Sequence, residues 1–230
     1  MTPEKKYSVI IVAGGKGIRA GGELPKQFIL IGGKPVLMHS IQAFHDYSDK
    51  MRIVVVLPDG FQALWKELCN KYQFIVPHIL TTGGDTRFHS VKKGLKFISE
   101  DETVGVHDAA RPFITPGLIR RCFDASCRYS CGVVPVVDEV NSVRVLSEKG
   151  SRIFDRKLLK IVQTPQVFPA QVLKKAYETS FDPAFTDDAS VAEKYGLKIM
   201  LTDGEESNIK ITTPFDIVIA EHYLNYLAKR

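Results

Sequence analysis

The chain has 230 residues, of which 44% are hydrophobic and 25% charged, and its formal net charge is +5. That length supports one good core with room for an appendage, and the composition is that of a globular protein in water. No apolar run approaches the roughly 20 residues of a membrane span. Lysines and arginines are scattered rather than gathered into a basic tail or interleaved with aromatics, which argues against nucleic acid as a partner and for a site that takes small anions.

Tyr7–Val12 reads as a buried strand. The opening before it, Met1-Thr2-Pro3-Glu4-Lys5-Lys6, leads into too short an apolar run for a signal-peptide core, so a cytoplasmic protein is expected. The strand runs into a loop from Gly14 to Gln27 with five glycines and three cations, Lys16, Arg19 and Lys26. Glycines let backbone N–H groups come close to an anion, so the loop reads as a polyphosphate cradle. It is not a P-loop, because G-x-x-x-x-G-K-[ST] is absent. Gly15-x-Gly17-x-x-Ala20 fits the dinucleotide fingerprint, but that fingerprint needs a helix to open within it, and Gly21, Gly22 and Pro25 oppose one. A plain connecting turn is the other reading.

Next come a helix over Pro35–Phe44, a strand over Met51–Leu57, a helix capped by Asp59 and running to Tyr72, and a short strand His78–Leu80. After the turn Gly83-Gly84-Asp85 follow a helix over Arg87–Ile98, a strand over Thr103–Val106 and a helix capped by Thr115 that reaches Tyr129. A strand over Gly132–Val137 carries Pro135 as an irregularity. This alternation predicts an α/β fold, a mostly parallel twisted sheet with helices on both faces, Rossmann-like. Right-handed crossovers put the strand-to-helix loops at one edge, where ligands bind. The glycine loop, Gly83-Gly84-Asp85 and His107-Asp108 all fall there.

Beyond Val137 the rhythm changes. Ser142–Leu146 and Ile153-Phe154, joined at Lys149-Gly150, read as a β-hairpin. It makes an arm at about 138–156 on a single domain spanning 1–230, and a candidate for dimerisation. Helices over Pro169–Ser180 and Asp187–Tyr195 and a strand Ile199–Leu201 precede a final helix to Ala228, opened by Thr213, Pro214 and Asp216 at N-cap, N1 and N3. The four cysteines, Cys69, Cys122, Cys127 and Cys131, form no C-x-x-C pair, so buried thiols in a reducing compartment are expected rather than zinc.

Asp108 follows a buried strand in Val106-His107-Asp108-Ala109-Ala110-Arg111-Pro112. A carboxylate there can take Mg²⁺, accept from substrate hydroxyls, or cap the next turn. His107, at the strand end, reads as structural, and Arg111 can pair with Asp108 or with a phosphate. Arg87 and Ser90 suit either the reading of a nucleobase edge or an N-capped helix start. Lys210 falls in what reads as an apolar strand, where it must find an anion or face water. Arg156 reads on spacing as a surface ion pair, and Thr164 in Gln163-Thr164-Pro165-Gln166 says little alone.

Ala13-Gly14-Gly15 through Leu24-Pro25-Lys26-Gln27, Gly83-Gly84 with Arg87 and Ser90, His107 through Pro112, Arg156, Thr164-Pro165-Gln166, Thr186-Asp187-Asp188-Ala189-Ser190 and Asn208-Ile209-Lys210-Ile211-Thr212 follow one another along the chain. Together they resemble the 2-C-methyl-D-erythritol 4-phosphate cytidylyltransferase family of the non-mevalonate isoprenoid pathway, over essentially the whole chain. The resemblance implies a nucleotide-diphospho-sugar transferase fold, a homodimer whose hairpin arms embrace, and Mg²⁺ or another divalent cation. It implies transfer of CMP from CTP to the phosphate of methylerythritol 4-phosphate, with loss of pyrophosphate. Arg19 and Lys26 match the family's transition-state stabilisers, a role that suits fixed cations aimed at developing charge. Arg156 and Lys210 match the residues that position the attacking phosphate, Arg156 reaching in from the partner subunit. Asp108, Arg111 and Thr164 match the lining of the acceptor site. Gly84, Asp85, Arg87 and Ser90 match the nucleotide-reading segment, and Ala13, Gly14 and Gly15 the contacts to the nucleotide backbone.

One departure is Asp138-Glu139, where the family often has Asp-Thr. An anionic Glu139 beside a phosphate would repel it, so its side chain is expected to point away. Ribitol-5-phosphate cytidylyltransferase is the alternative, against which Ala109-Ala110 and Thr186 through Ser190 weigh. A non-catalytic nucleotide-binding domain is a third reading, and it would have lost Arg19, Lys26, Arg156 and Lys210.

Overall fold

A strand as apolar as Tyr7–Val12 is stable only with both faces covered, and it lies at the centre of the sheet. The structure, a computed structural model, describes residues 6–13, 25–148 and 150–229. Gly14, Gly15, Lys16 and Arg19 of the glycine loop therefore lie outside the described residues. After β1 (Tyr7–Val12) come a 3₁₀ turn (Lys26–Phe28), a short hairpin of β2 (Leu30–Ile31) and β3 (Lys34–Pro35), and α1 (Val36–Tyr47). The chain continues through β4 (Arg52–Leu57), α2 (Gln62–Lys71), β5 (Ile79–Thr82), α3 (Arg87–Gly94), β6 (Thr103–Asp108), α4 (Pro116–Tyr129) and β7 (Gly132–Asp138). Then follow β8 (Val143–Ser147), β9 (Gly150–Phe154), β10 (Lys160–Val162), β11 (Gln166–Pro169), α5 (Ala170–Ala176), α6 (Asp188–Lys194), β12 (Ile199–Asp203) and α7 (Pro214–Leu227).

Side chains alternate across each strand, and the two cores follow that alternation. Val9 and Ile11 of β1, with Ile53, Val55 and Leu57 of β4, meet α1, α2 and α4 through Leu37, Trp65 and Phe123. Ile10, Val12, Val54 and Val56 meet α3, α5 and α6 through Val91, Leu173 and Val191. A third, smaller core joins the β2–β3 hairpin to α7 through Ile31, Ile211, Ala220 and Leu224.

The sheet is mixed. β4, β5, β6 and β1 pair in parallel, and so do β7 and β12. Between them β11 runs antiparallel to both β6 and β7. β10 and β11 share one edge of β7, as Val162 pairs with Val136 and Val167 with Val133. The register slips across Gln163-Thr164-Pro165, and the slip pushes these residues toward the end of β6. Pro135 sits inside β7, yet its carbonyl still accepts from the Gln163 N–H at 2.8 Å. Among the described residues β8 and β9 pair only with each other, Val143 opposite Phe154, and form a sheet of their own.

Three expectations from the sequence are corrected. Asp59 does not cap α2: its Oδ1 accepts from the neighbouring Gly60 N–H at 3.0 Å, and the helix starts at Gln62 with no side-chain cap. The helix expected to Ser180 ends at Ala176, and the aromatic loop that follows packs on α3. Asn208–Thr212 is not a strand; it is an irregular segment anchored by its own hydrogen bonds. Thr115 and Thr213 do cap α4 and α7, and Thr213 forms a capping box with Asp216.

Candidate active site

The carboxyl ends of β1, β4, β5 and β6 open on one cavity of 790 Å³, lined among others by Ala13, Lys26, Gly84, Arg87, Asp108 and Lys210. On one side is the turn between β5 and α3. A Cβ on Gly84 would lie 2.4 Å from the Cβ of His89, and one on Gly83 2.8 Å from Ser90 Oγ. Only glycine lets this turn press so closely onto the first turn of α3. Ser90 is buried beneath it. Its Oγ accepts from the Gly84 N–H at 3.1 Å and donates to the Thr86 carbonyl at 2.9 Å. The hydroxyl thus shapes the turn from below, while Gly84 and Asp85 line the cavity.

Lys26 stands on the opposite rim, on the 3₁₀ turn. Two buried neighbours hold that turn: Gln27 Nε2 donates to the Ala13 carbonyl at 2.8 Å, and Phe28 stacks on Phe61 with 5.6 Å between ring centres. Gln27 carries no charge and no motif signal beyond its neighbours, so its anchoring role is visible only in three dimensions.

Asp108 ends β6 at the cavity floor, between three cations. Lys210 Nζ is 2.8 Å and Arg111 Nε 3.6 Å from its Oδ2, and Arg87 Nε is 3.5 Å from its Oδ1. Burial works against its ionisation, but the attraction of Arg87, Lys210 and Arg111 outweighs burial and holds its pKa well below the usual carboxylate range. Arg87 in turn forks onto Asp188, Nη1 to Oδ1 at 2.9 Å and Nη2 to Oδ2 at 2.6 Å. Burial penalises its charge, yet Asp188 and Asp108 more than compensate.

Arg111 and Thr164 form the layer behind. Arg111 Nη1 donates to the Asn208 carbonyl at 2.8 Å, and Asn208 Nδ2 donates to the Thr164 carbonyl at 2.9 Å. This fastens the Lys210 segment to the Gln163-Thr164-Pro165 slip. Thr164 Oγ1 accepts from the Asp108 N–H at 3.0 Å. His107 is fully buried, with Nε2 at 3.0 Å from the Arg111 carbonyl and Nδ1 at 3.1 Å from Thr164 Oγ1. A carbonyl can only accept, so Nε2 carries the proton and Thr164 donates to Nδ1. Burial depresses the imidazole pKa to about 4, in keeping with a structural role.

Arg156 is not part of this cavity. It lies at the foot of the β8–β9 hairpin and donates to the Val140 carbonyl, beside a separate hollow of 340 Å³. Glu139 turns back on the chain, its Oε1 accepting from the Asn141 N–H at 2.6 Å. Among the described residues no group of three or more His, Cys, Asp or Glu side chains is placed to hold a metal ion. Asp108, raised above as a Mg²⁺ ligand, has cations at both oxygens. Asp188, Tyr177 and Asn208 carry roles that spacing does not reveal, although Asp188 and Asn208 fall inside quoted motifs.

Comparison with known proteins bears on this arrangement. The family model IspD, 2-C-methyl-D-erythritol 4-phosphate cytidylyltransferase, matches residues 7–226. The 2-C-methyl-D-erythritol 4-phosphate cytidylyltransferase of Bacteroides fragilis is 52% identical over 94% of this chain and 99% of its own length. That of Bacteroides thetaiotaomicron is 51% identical over 95% and 100%. Among solved structures, 4-diphosphocytidyl-2C-methyl-D-erythritol synthase from Anaerococcus prevotii superposes with a TM-score of 0.80 at 27% identity, covering 96% of both chains. The cytidylyltransferase from Thermus thermophilus does so with a TM-score of 0.78 at 29% identity, covering 96% and 99%. With its mixed sheet, its glycine turn and its ring of cations about Asp108, the chain belongs to the 2-C-methyl-D-erythritol 4-phosphate cytidylyltransferase family.

Proposed function

We propose a division of labour in the cavity for the family's reaction, in which CMP passes from CTP to the phosphate of 2-C-methyl-D-erythritol 4-phosphate. The products are 4-diphosphocytidyl-2-C-methyl-D-erythritol and pyrophosphate. The observation that carries the assignment is the convergence of Lys26, Arg87 and Lys210 on one cavity at the carboxyl ends of the strands, with Asp108 among them and Arg111 behind it. A cavity so charged suits phosphates, and the reaction brings two phosphate-bearing substrates together.

The turn at Gly84 and Asp85 takes the cytosine end of CTP, because the glycines bring its backbone to the cavity wall. Ala13 and Lys26, with Gly14, Gly15 and Arg19 of the loop between them, take the triphosphate. Asp108 accepts a hydroxyl of the acceptor, supported by Arg111 and Thr164, and Lys210 holds the acceptor phosphate. An oxygen of that phosphate then attacks the α-phosphorus of CTP. A new P–O bond forms, the bond to the β-phosphate oxygen breaks, and pyrophosphate leaves with the electron pair. Lys26 and Arg19 stabilise charge on the five-coordinate phosphorus. With Asp108 already paired to cations, Mg²⁺ would be held chiefly by the triphosphate and by water, and would neutralise the triphosphate's charge.

Arg156 acts from a second copy of the chain. Support comes from the β8–β9 arm, which pairs only with itself and exposes Leu146 to 84% and Ile153 to 75%. A cytoplasmic setting is supported by four free thiols and by the absence, among the described residues, of a helix long and apolar enough to cross a membrane.

The test is pyrophosphate release with CTP and Mg²⁺, comparing methylerythritol 4-phosphate with ribitol 5-phosphate. Release with the former alone is expected. A preference for ribitol 5-phosphate would keep the chemistry and change the acceptor. Release with neither would overturn the assignment.

A further inference from the structure

The motif Thr186-Asp187-Asp188 contributes nothing to the cavity lining, yet Asp188 is fully buried and charged. Its two oxygens take both Nη atoms of Arg87, and Tyr177 Oη donates to its Oδ1 at 2.6 Å. Tyr177 is fixed by stacking on Phe88, with ring centres 4.7 Å apart and planes at 21°. Asp187 caps α6 through the Ser190 N–H at 2.9 Å, and Gln166 Oε1 accepts from the Ala189 N–H at 2.8 Å. The backbone that carries Asp188 is therefore held from both sides.

Arg87, with its fork directed at Asp188, presents Nε toward Asp108, and that nitrogen stays 3.5 Å from Oδ1. Oδ2 is occupied by Lys210 at 2.8 Å. Oδ1 is thus the oxygen left for a ligand. A guanidinium released from Asp188 would donate to Asp108 at Oδ1, a charge-assisted bond, and would cover that oxygen while Lys210 keeps Oδ2.

We propose that Asp188, oriented by Tyr177, is a positioning residue for the acceptor: it draws the Arg87 fork away from Asp108 and so keeps Oδ1 open to an acceptor hydroxyl. The inference rests on the reading of Asp108 as the acceptor-binding carboxylate. It also makes Arg87 a mechanical link between the nucleotide turn, which it directly follows, and the acceptor side of the cavity.

The experiment is steady-state pyrophosphate release by the full chain, with KM for methylerythritol 4-phosphate and for CTP measured separately. Asp188→Asn is expected to raise the acceptor KM by about tenfold, as for loss of one good hydrogen bond, while the CTP KM moves by less than about twofold. Tyr177→Phe, which keeps the ring on Phe88, is expected to shift the acceptor KM by about two- to threefold in the same direction. Adding Arg87→Gln to Asp188→Asn removes the closing fork and is expected to restore part of the acceptor KM. Circular dichroism melts confirm that each variant is folded at the assay temperature, and should Asp188→Asn be unfolded, Tyr177→Phe carries the test. Equal changes in both KM values, or a double variant no better than the single one, would overturn the proposal. Asp108→Asn separates the two readings. If it raises the acceptor KM and the Asp188 and Tyr177 variants do not, only the positioning role fails; if it leaves the acceptor KM unchanged, both fail.

Discussion

A neutral imidazole is built into the floor of the cavity. His107 donates to one carbonyl and accepts from Thr164, so both ring nitrogens are used and neither can take a further proton without breaking a bond. Its pKa is about 4 in the folded protein against 6.5 ordinarily. Above pH 6.5 neither state binds the proton. Between 6.5 and 4 the unfolded chain binds it and the folded one does not, so stability falls as pH falls, by roughly 3 kcal/mol in all. Burial lowers His39 and His78 as well, with the same sign. Asp108 adds its own loss only below the ordinary carboxylate pKa, because its folded value is depressed. Urea unfolding followed from neutral pH to about pH 4.5 should show this slope, and His107→Asn, which cannot titrate, should reduce it to the part that His39 and His78 contribute. Asp108, Arg111 and Lys210 are legible as candidates from the sequence because charge beside apolar runs demands an explanation. The pairing of Arg111 with Asp108 is legible too, but the arrival of Lys210 at the same carboxylate is not, since 102 residues separate it from Asp108, nor is the use of Ser90 and Asp188 as supports beneath the surface.

At the level of elements, the turn before α3 shows how packing and recognition coincide. Gly84→Ala forces a methyl to within 2.4 Å of His89 Cβ and 3.2 Å of its carbonyl carbon. The turn must lift, costing about 1–3 kcal/mol as overpacking does, and the wall that receives the nucleoside moves with it. We expect a lower melting temperature and a larger rise in the KM for CTP than for the acceptor; equal rises would show that this wall is not the nucleoside side. Parallel strands and capped helices are readable here from apolar runs and from Thr115, Thr213 and Asp216. The antiparallel insertion of β10 and β11 is not, because three- and four-residue strands carry little periodicity, and their direction is set by pairing with β6 and β7. The β2–β3 hairpin escaped for the same reason: it is two residues a side, turned at Gly32 and Gly33 with φ of +54° and +74°.

For the whole molecule the arm is the open question. Leu146 and Ile153 stand exposed on a ribbon that has no other sheet to lean on, and an isolated hairpin is marginal in water. Sedimentation velocity should find a dimer. Leu146→Asp with Ile153→Asp should give a monomer whose acceptor KM rises at least about tenfold through loss of a hydrogen bond to the charged Arg156, with CTP binding intact. A monomeric parent protein, or a monomeric variant of full activity, would remove Arg156 from the site.

The small third core has a consequence in time rather than in space. The β2–β3 hairpin, which directly follows the Lys26 turn, rests on α7: Gly32 N–H donates to Glu221 at 3.0 Å, and Ile31 is buried with Ala220. These contacts span some 190 residues of sequence. During synthesis the first strands emerge early, but the helix on which this hairpin rests emerges among the last. A nascent chain can therefore pair β1, β4, β5 and β6 on the ribosome, while β7 joins them only once β11 has emerged. The β2–β3 hairpin beside the Lys26 turn, and Ile211 beside Lys210, reach their full packing only when α7 docks, so translation delivers the first strands early and completes the surroundings of the cavity at the end.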